Sequence, residues 1–152
     1  MKIIKYFFEF TSIISLFCIF KIIGLKNASN LGSVLGRLIG PFFRSKNITK
    51  QNIKIGLGNL DEKRETEIIN AMWSNIGRTF AEYAFLKNFK FDKTNFSHIK
   101  INGTNYLEQI KKNNESVIFY SGHFANFELM AVELDKFGIK AAAIYRPLNN
   151  FL

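Results

Sequence analysis

At 152 residues the chain is long enough for one modest core, and its 47% hydrophobic content excludes a disordered polymer. The single cysteine, Cys18, excludes an internal disulfide and a cysteine zinc cluster, and its apolar setting predicts a small buried hydrophobe. The net charge of +9 is uneven: residues 1–60 carry nine Lys/Arg against one acid, Glu9, giving +8, while residues 61–152 carry twelve against eleven, giving +1. A basic front end suits an anionic partner, either lipid or nucleic acid. A solvated basic face is the plain alternative.

Residues 3–25 form an apolar run flanked by lysines. A cleaved signal peptide fits poorly, because no small-x-small site follows the run. Glu9 and Lys21 bracket only eleven uncharged positions, short of the roughly 20 apolar residues of a clean span. Lys2, Lys5, Glu9 and Ser12 share one helical face, with Phe and Ile crowding the other. A span with snorkelling lysines and a helix lying in the interface both suit this pattern; an ordinary buried helix is the third reading.

Leu31, Val34, Leu35, Leu38, Ile39 and Phe42 recur at helical spacing. Gly32, Gly36 and Gly40 repeat every fourth residue, a spacing that permits close helix approach, although in soluble helices such glycines more often only lower propensity. Pro41 is expected to kink or end this helix, and Arg44 and Lys46 follow at once. Residues 47–54 predict a short basic helix with Asn47 as N-cap, and Gly56, Gly58 and Asn59 a break. Asp61 caps the clearest helix in the chain. Its stripe is Ile69, Met72, Trp73, Ile76, Phe80 and Tyr83, and Glu62, Glu65 and Glu67 sit favourably against its dipole. Residues 87–93 read as a charged connector.

From residue 96 the period changes. Residues 97–101 alternate like a strand. Residues 104–112 predict a short helix with Tyr106, Leu107 and Ile110 inward. Residues 116–120 predict a buried strand, 126–137 a helix ended by Gly138, and 139–145 another strand. The predicted fold class is therefore α/β: an N-terminal membrane helix (1–25), a helical region (26–93) and a partial parallel βαβαβ sheet (94–152). Three parallel strands leave faces and edges uncovered, so the chain reads as the front half of a larger fold.

The chemistry converges on Ser121-Gly122-His123, at the end of the predicted central strand, where open α/β sheets place their ligands. Glu128 follows five residues later. Such a pair meets only with His123 in the turn and Glu128 in the first helical turn, and a carboxylate on one imidazole nitrogen raises the basicity of the other. Arg146, directly after a predicted strand, is either a bidentate phosphate clamp or a surface arginine. Neither a nucleophile elbow nor a phosphate-binding loop competes. His98 and His123 lack metal-ligand spacing, so no metal site is expected. The apolar N-terminus and the lack of an aromatic–basic stacking surface oppose nucleic-acid binding.

Three segments carry a resemblance: Leu31-Gly32-Ser33 with Leu35-Gly36-Arg37; Trp73-Ser74-Asn75-Ile76-Gly77-Arg78 with Glu82; and Ser121-Gly122-His123-Phe124-Ala125-Asn126-Phe127-Glu128. With the Tyr145-Arg146-Pro147 segment they resemble the late acyltransferases of lipid A biosynthesis, the lauroyl/myristoyl transferases, within the lysophospholipid acyltransferase-like group. Residues 121–128 look like that family's His-x4-Asp/Glu motif, with Ala125 for the usual glycine and Phe127 for the usual tryptophan. The resemblance implies His123 as general base, Glu128 as its orienting acid, and Arg146 and Asn126 as substrate-binding residues. It implies no cofactor, acyl carrier protein as acyl donor, and a phosphorylated glucosamine lipid as acceptor, on the cytoplasmic side of a bacterial inner membrane. Family members are longer, so a fragment, or half of a pair whose C-terminal half is separately encoded, is expected; an inactive membrane-associated remnant is the alternative.

Overall fold

A computed structural model describes residues 2–91 and 99–144. Its regular elements are α1 (Lys2–Ile23), α2 (Leu25–Phe43), α3 (Lys46–Leu57), α4 (Glu62–Tyr83), α5 (Leu86–Phe91), α6 (Thr104–Asn113) and α7 (Glu128–Lys136). They divide between two compact units, Ile14–Ala84, and Met1–Ile13 with Phe85–Leu152.

The Ile14–Ala84 unit is built on the antiparallel packing of α2 against α4. Gly32, Gly36 and Gly40 line up on one face of α2, opposite Trp73, Gly77 and Ala81 on α4. A methyl group on Gly32 would collide with the Gly77 carbonyl and lie 2.8 Å from the Ala81 Cβ. One on Gly36 would strike the Trp73 carbonyl, and one on Gly40 the Trp73 ring. The four-residue glycine repeat is therefore a packing surface: it lets two backbones touch where side chains would hold them apart. Ala28, Gly32, Ser33 and Gly40 are the buried residues of α2, and Trp73, Gly77 and Ala81 those of α4.

Polar groups along the same seam are paired. The Ser33 and Ser74 hydroxyls are 2.7 Å apart. Arg78 Nη1 donates to Asn30 Oδ1 at 2.9 Å and to Ser29 Oγ at 3.2 Å, and the Ser29 hydroxyl donates to Glu82 Oε1 at 3.2 Å. Each such bond contributes about 0.5–1.5 kcal/mol net. The C-terminal half of α1 adds Phe20, which is fully buried, and Phe17, whose ring centroid lies 5.3 Å from that of Phe80.

Local signals set the helix ends. Gly24, with φ of 80°, separates α1 from α2, a backbone setting that glycine adopts without Cβ strain. Pro41 is tolerated inside α2, which stops two residues later at Phe43. Asp61 caps α4, its carboxylate accepting from the Arg64 N–H at 2.8 Å. The α3 helix begins one residue before Asn47, with Ser45 as its N-cap. Lys50 Nζ pairs with Glu65 Oε2 at 2.7 Å. The hydrogen bond to Glu65, then its charge, raise the Lys50 pKa above the usual lysine value.

In the second unit α5 packs on α7, and Phe89 and Leu134 are buried. Of residues 87–93, expected as a charged connector, 87–91 belong to helix α5 (Leu86–Phe91), and 92 and 93 lie outside the described residues. The predicted helix over 104–112 is α6, but Tyr106 points outward, 67% exposed. Gly138 ends the turn after α7 with φ of 75°, as its position predicts.

The expected parallel βαβαβ sheet is not formed: among the described residues there is no strand. Residues 99–103, 115–124 and 139–144 are irregular, and residues 97, 98 and 145 lie outside the described residues. A strand is completed only by a ladder to a neighbour, and alternation reports an apolar face without supplying that neighbour. Here Ile118 is 81% and Tyr120 91% exposed, so the central predicted strand is not buried. Cys18 is likewise exposed rather than buried; it sits on α1, whose apolar side chains mostly face outward.

Candidate active site

The segment between α6 and α7 carries the histidine. Asn114 closes α6 in the left-handed conformation, its N–H directed to the carbonyls of Ile110 and Lys111. The chain then runs irregularly to Ser121. The Phe124 N–H donates to the Gly122 carbonyl at 2.8 Å, a three-residue turn with His123 at its apex. The Ser121 hydroxyl donates to the same carbonyl at 3.4 Å. Ala125 follows with φ of 46°, in the left-handed region that favours glycine. The Leu129 and Met130 N–H groups then donate to the carbonyls of Asn126 and Phe127 at 3.2 and 3.1 Å, starting α7.

This geometry presents His123 on the surface ahead of a helix N-terminus. The imidazole is exposed. Its ring lies 4.1 Å, centroid to centroid, from the Phe127 ring, at an interplanar angle of 39°. Phe127 is half-buried and so gives the imidazole a fixed apolar wall. An aromatic contact of this kind is worth about 0.5–1.5 kcal/mol, enough to bias the ring's orientation. Nothing in the sequence pattern assigns this role to Phe127 beyond its four-residue spacing from His123.

Glu128 is the first residue of α7 and half-buried. Its carboxylate is stabilised there by the helix dipole. No hydrogen bond or ion pair joins it to His123 among the described residues. Asn126 is half-buried between the two. Arg146, with Tyr145 and Pro147, lies outside the described residues, as does His98. The arrangement thus brings His123, Asn126, Phe127 and Glu128 into one turn at the head of one helix. An exposed imidazole in that setting can take a proton from a bound hydroxyl.

The α1 helix is the one described element long and apolar enough to cross a bilayer. Its 22 residues would extend about 33 Å. Only 6% of its most apolar window is buried in the protein, which sets it apart from a core helix.

Comparison with known proteins returned one finding. A model of the family described as bacterial lipid A biosynthesis acyltransferase matches residues 1–152. Neither the curated proteins nor the solved structures searched gave a match. The match takes in the His123 turn, the Gly32–Gly77 seam and the apolar α1 helix together, and the chain belongs to the bacterial lipid A biosynthesis acyltransferase family.

Proposed function

We propose that the chain transfers a fatty acyl group from the thioester of acyl carrier protein to a hydroxyl of a phosphorylated glucosamine lipid, at the cytoplasmic face of a bacterial inner membrane. The observation that carries this reading is the exposed His123 at the apex of the turn before α7, in a chain matched to the family from end to end. The imidazole accepts the proton of the acceptor hydroxyl as its oxygen attacks the thioester carbonyl. The tetrahedral intermediate collapses, breaking the carbon–sulfur bond, and the imidazolium returns its proton to the departing thiolate. No covalent acyl-enzyme forms. Glu128 stabilises the imidazolium by charge, and Phe127 holds the ring plane. Asn126 and Arg146 bind the acceptor, with Arg146 suited to a phosphate oxygen pair. The α1 helix and the basic front end hold the enzyme at the anionic surface from which the acceptor comes.

The test is acyl transfer from acyl-acyl carrier protein to a lipid A precursor by the membrane-bound chain. Turnover that vanishes in His123→Ala supports the reading. A second reading is a membrane-associated chain without turnover, favoured by the missing His123–Glu128 hydrogen bond. It is the correct one if the wild-type chain transfers no acyl group.

A further inference from the structure

The junction of α2, α3 and α4 carries an apolar groove of about 590 Å³, lined by Phe43, Arg44, Ile53, Leu57, Met72 and Trp73 among others. Its rim is unusually apolar for a water-facing surface. Phe43 is 82% exposed, its neighbour Phe42 88%, and Leu57 across the groove 59%. Continuous apolar surface rimmed by polar groups marks an interaction site.

Charge selects the occupant. Residues 37–60 contain Arg37, Arg44, Lys46, Lys50 and Lys54 and no Asp or Glu. Lys50 is engaged by Glu65, whereas Arg44, Lys46 and Lys54 are exposed. Arg44 lies in the groove wall itself, next in sequence to the two exposed phenylalanines. Aromatic side chains beside exposed cations, at the end of an amphipathic helix, match the boundary between acyl chains and anionic headgroups.

We propose that this rim is a second membrane-docking surface, distinct from α1. Phe42, Phe43 and Leu57 enter the interface of an anionic bilayer, while Arg44, Lys46 and Lys54 meet its lipid phosphates. The docking rests on the membrane association of the chain and goes beyond it, because it fixes which face of the Ile14–Ala84 unit meets the lipid. Alone, α1 tethers the chain without fixing that face.

The experiment reads the rim directly. In the full chain carrying Cys18→Ser, Phe43→Cys is labelled with an environment-sensitive nitrobenzoxadiazole probe, and Lys63→Cys, at the exposed start of α4, serves as control. Each is bound to vesicles of phosphatidylcholine with or without phosphatidylglycerol, some carrying nitroxide lipids. The probe at 43 is expected to shift to the blue and be quenched at shallow depth on phosphatidylglycerol vesicles, while the probe at 63 stays aqueous. Arg44→Glu with Lys46→Glu should weaken insertion of the labelled rim about tenfold or more, as should high salt. A labelled Leu57→Cys, checked for helical content by circular dichroism, repeats the measurement should Phe43→Cys misfold. An aqueous probe at 43 and at 57 on a chain still anchored by α1 overturns the proposal while leaving membrane association intact. Equal insertion into pure phosphatidylcholine overturns its charge component. Shielding of 43 by soluble acyl carrier protein, and not by vesicles, assigns the rim to that protein instead.

Discussion

Gly32 and Gly77 meet backbone to backbone, with no side chain between them. A methyl on either would strike the carbonyl of the other, and carbonyls do not give way as a flexible side chain does. Gly77→Ala should therefore part α2 from α4 and destabilise the fold by about 1–3 kcal/mol. Gly56, inside α3, has nothing within 4 Å of its would-be Cβ. Gly56→Ala should stabilise by about 0.5–1 kcal/mol. Thermal melts of helical circular dichroism in detergent check both, and a stable Gly77→Ala would contradict the close approach.

Arg78 crosses the same seam. Removing its guanidinium breaks bonds to Ser29 and Asn30 and leaves the half-buried Ser29 hydroxyl without that partner. Arg78→Ala should cost about 1–3 kcal/mol. Once Arg78 is gone, Ser29→Ala should cost less than it does in the wild type, because the two groups share one network. Additive losses in that double-mutant cycle would show the network to be dispensable.

Lys50 gives the pH dependence. Its pKa is raised by the hydrogen bond to Glu65 and then by that carboxylate's charge. A lysine with a raised folded-state pKa contributes stability fully below its unfolded value, about 10.4, and loses it as pH rises through the higher folded value. The difference in melting temperature between wild type and Lys50→Gln should hold from neutral pH to about pH 10 and then shrink. A difference that grows with alkalinity would contradict the pairing.

Ala125 and Phe127 shape the His123 turn. An L-residue in the left-handed region costs about 1–2 kcal/mol, against an entropic cost of about 0.5–1 kcal/mol for glycine. Ala125→Gly should be neutral or stabilising by up to about 1 kcal/mol, with activity kept. Ala125→Val should lose both. Phe127→Leu should lower kcat with little change in KM, and Phe127→Trp should restore it, since a ring is kept against the imidazole. Loss of KM alone in Phe127→Leu would remove its positioning role.

How much of this is legible in the sequence depends on the range of the interaction. Helices written by local signals are readable: the Asp61 cap, the acids after it, and the apolar run of α1. The glycine repeat in α2 is visible, but not its partner, because Gly77 and Ala81 lie more than forty residues away and carry no apolar periodicity. The Ile69–Tyr83 stripe accordingly missed the two smallest residues of the α4 contact and included Ile76, which is half-exposed, at 49%. The strand expectations failed for the same reason, since a short apolar run does not encode the neighbour that would complete it. At the site, residue identity and order were readable as a motif. The γ-like turn, the positive φ of Ala125 and the Phe127 contact were not, as each is set by backbone geometry.

The most direct measurement is single-turnover acyl transfer by wild type and His123→Ala, assayed side by side on the same vesicles with acyl-acyl carrier protein and the phosphorylated glucosamine lipid. Transfer by the wild type is expected, with a fall of at least about 10²-fold in the variant while α1 stays membrane-bound and the helical melt is unchanged. Equal rates in the two proteins would contradict His123 as the base.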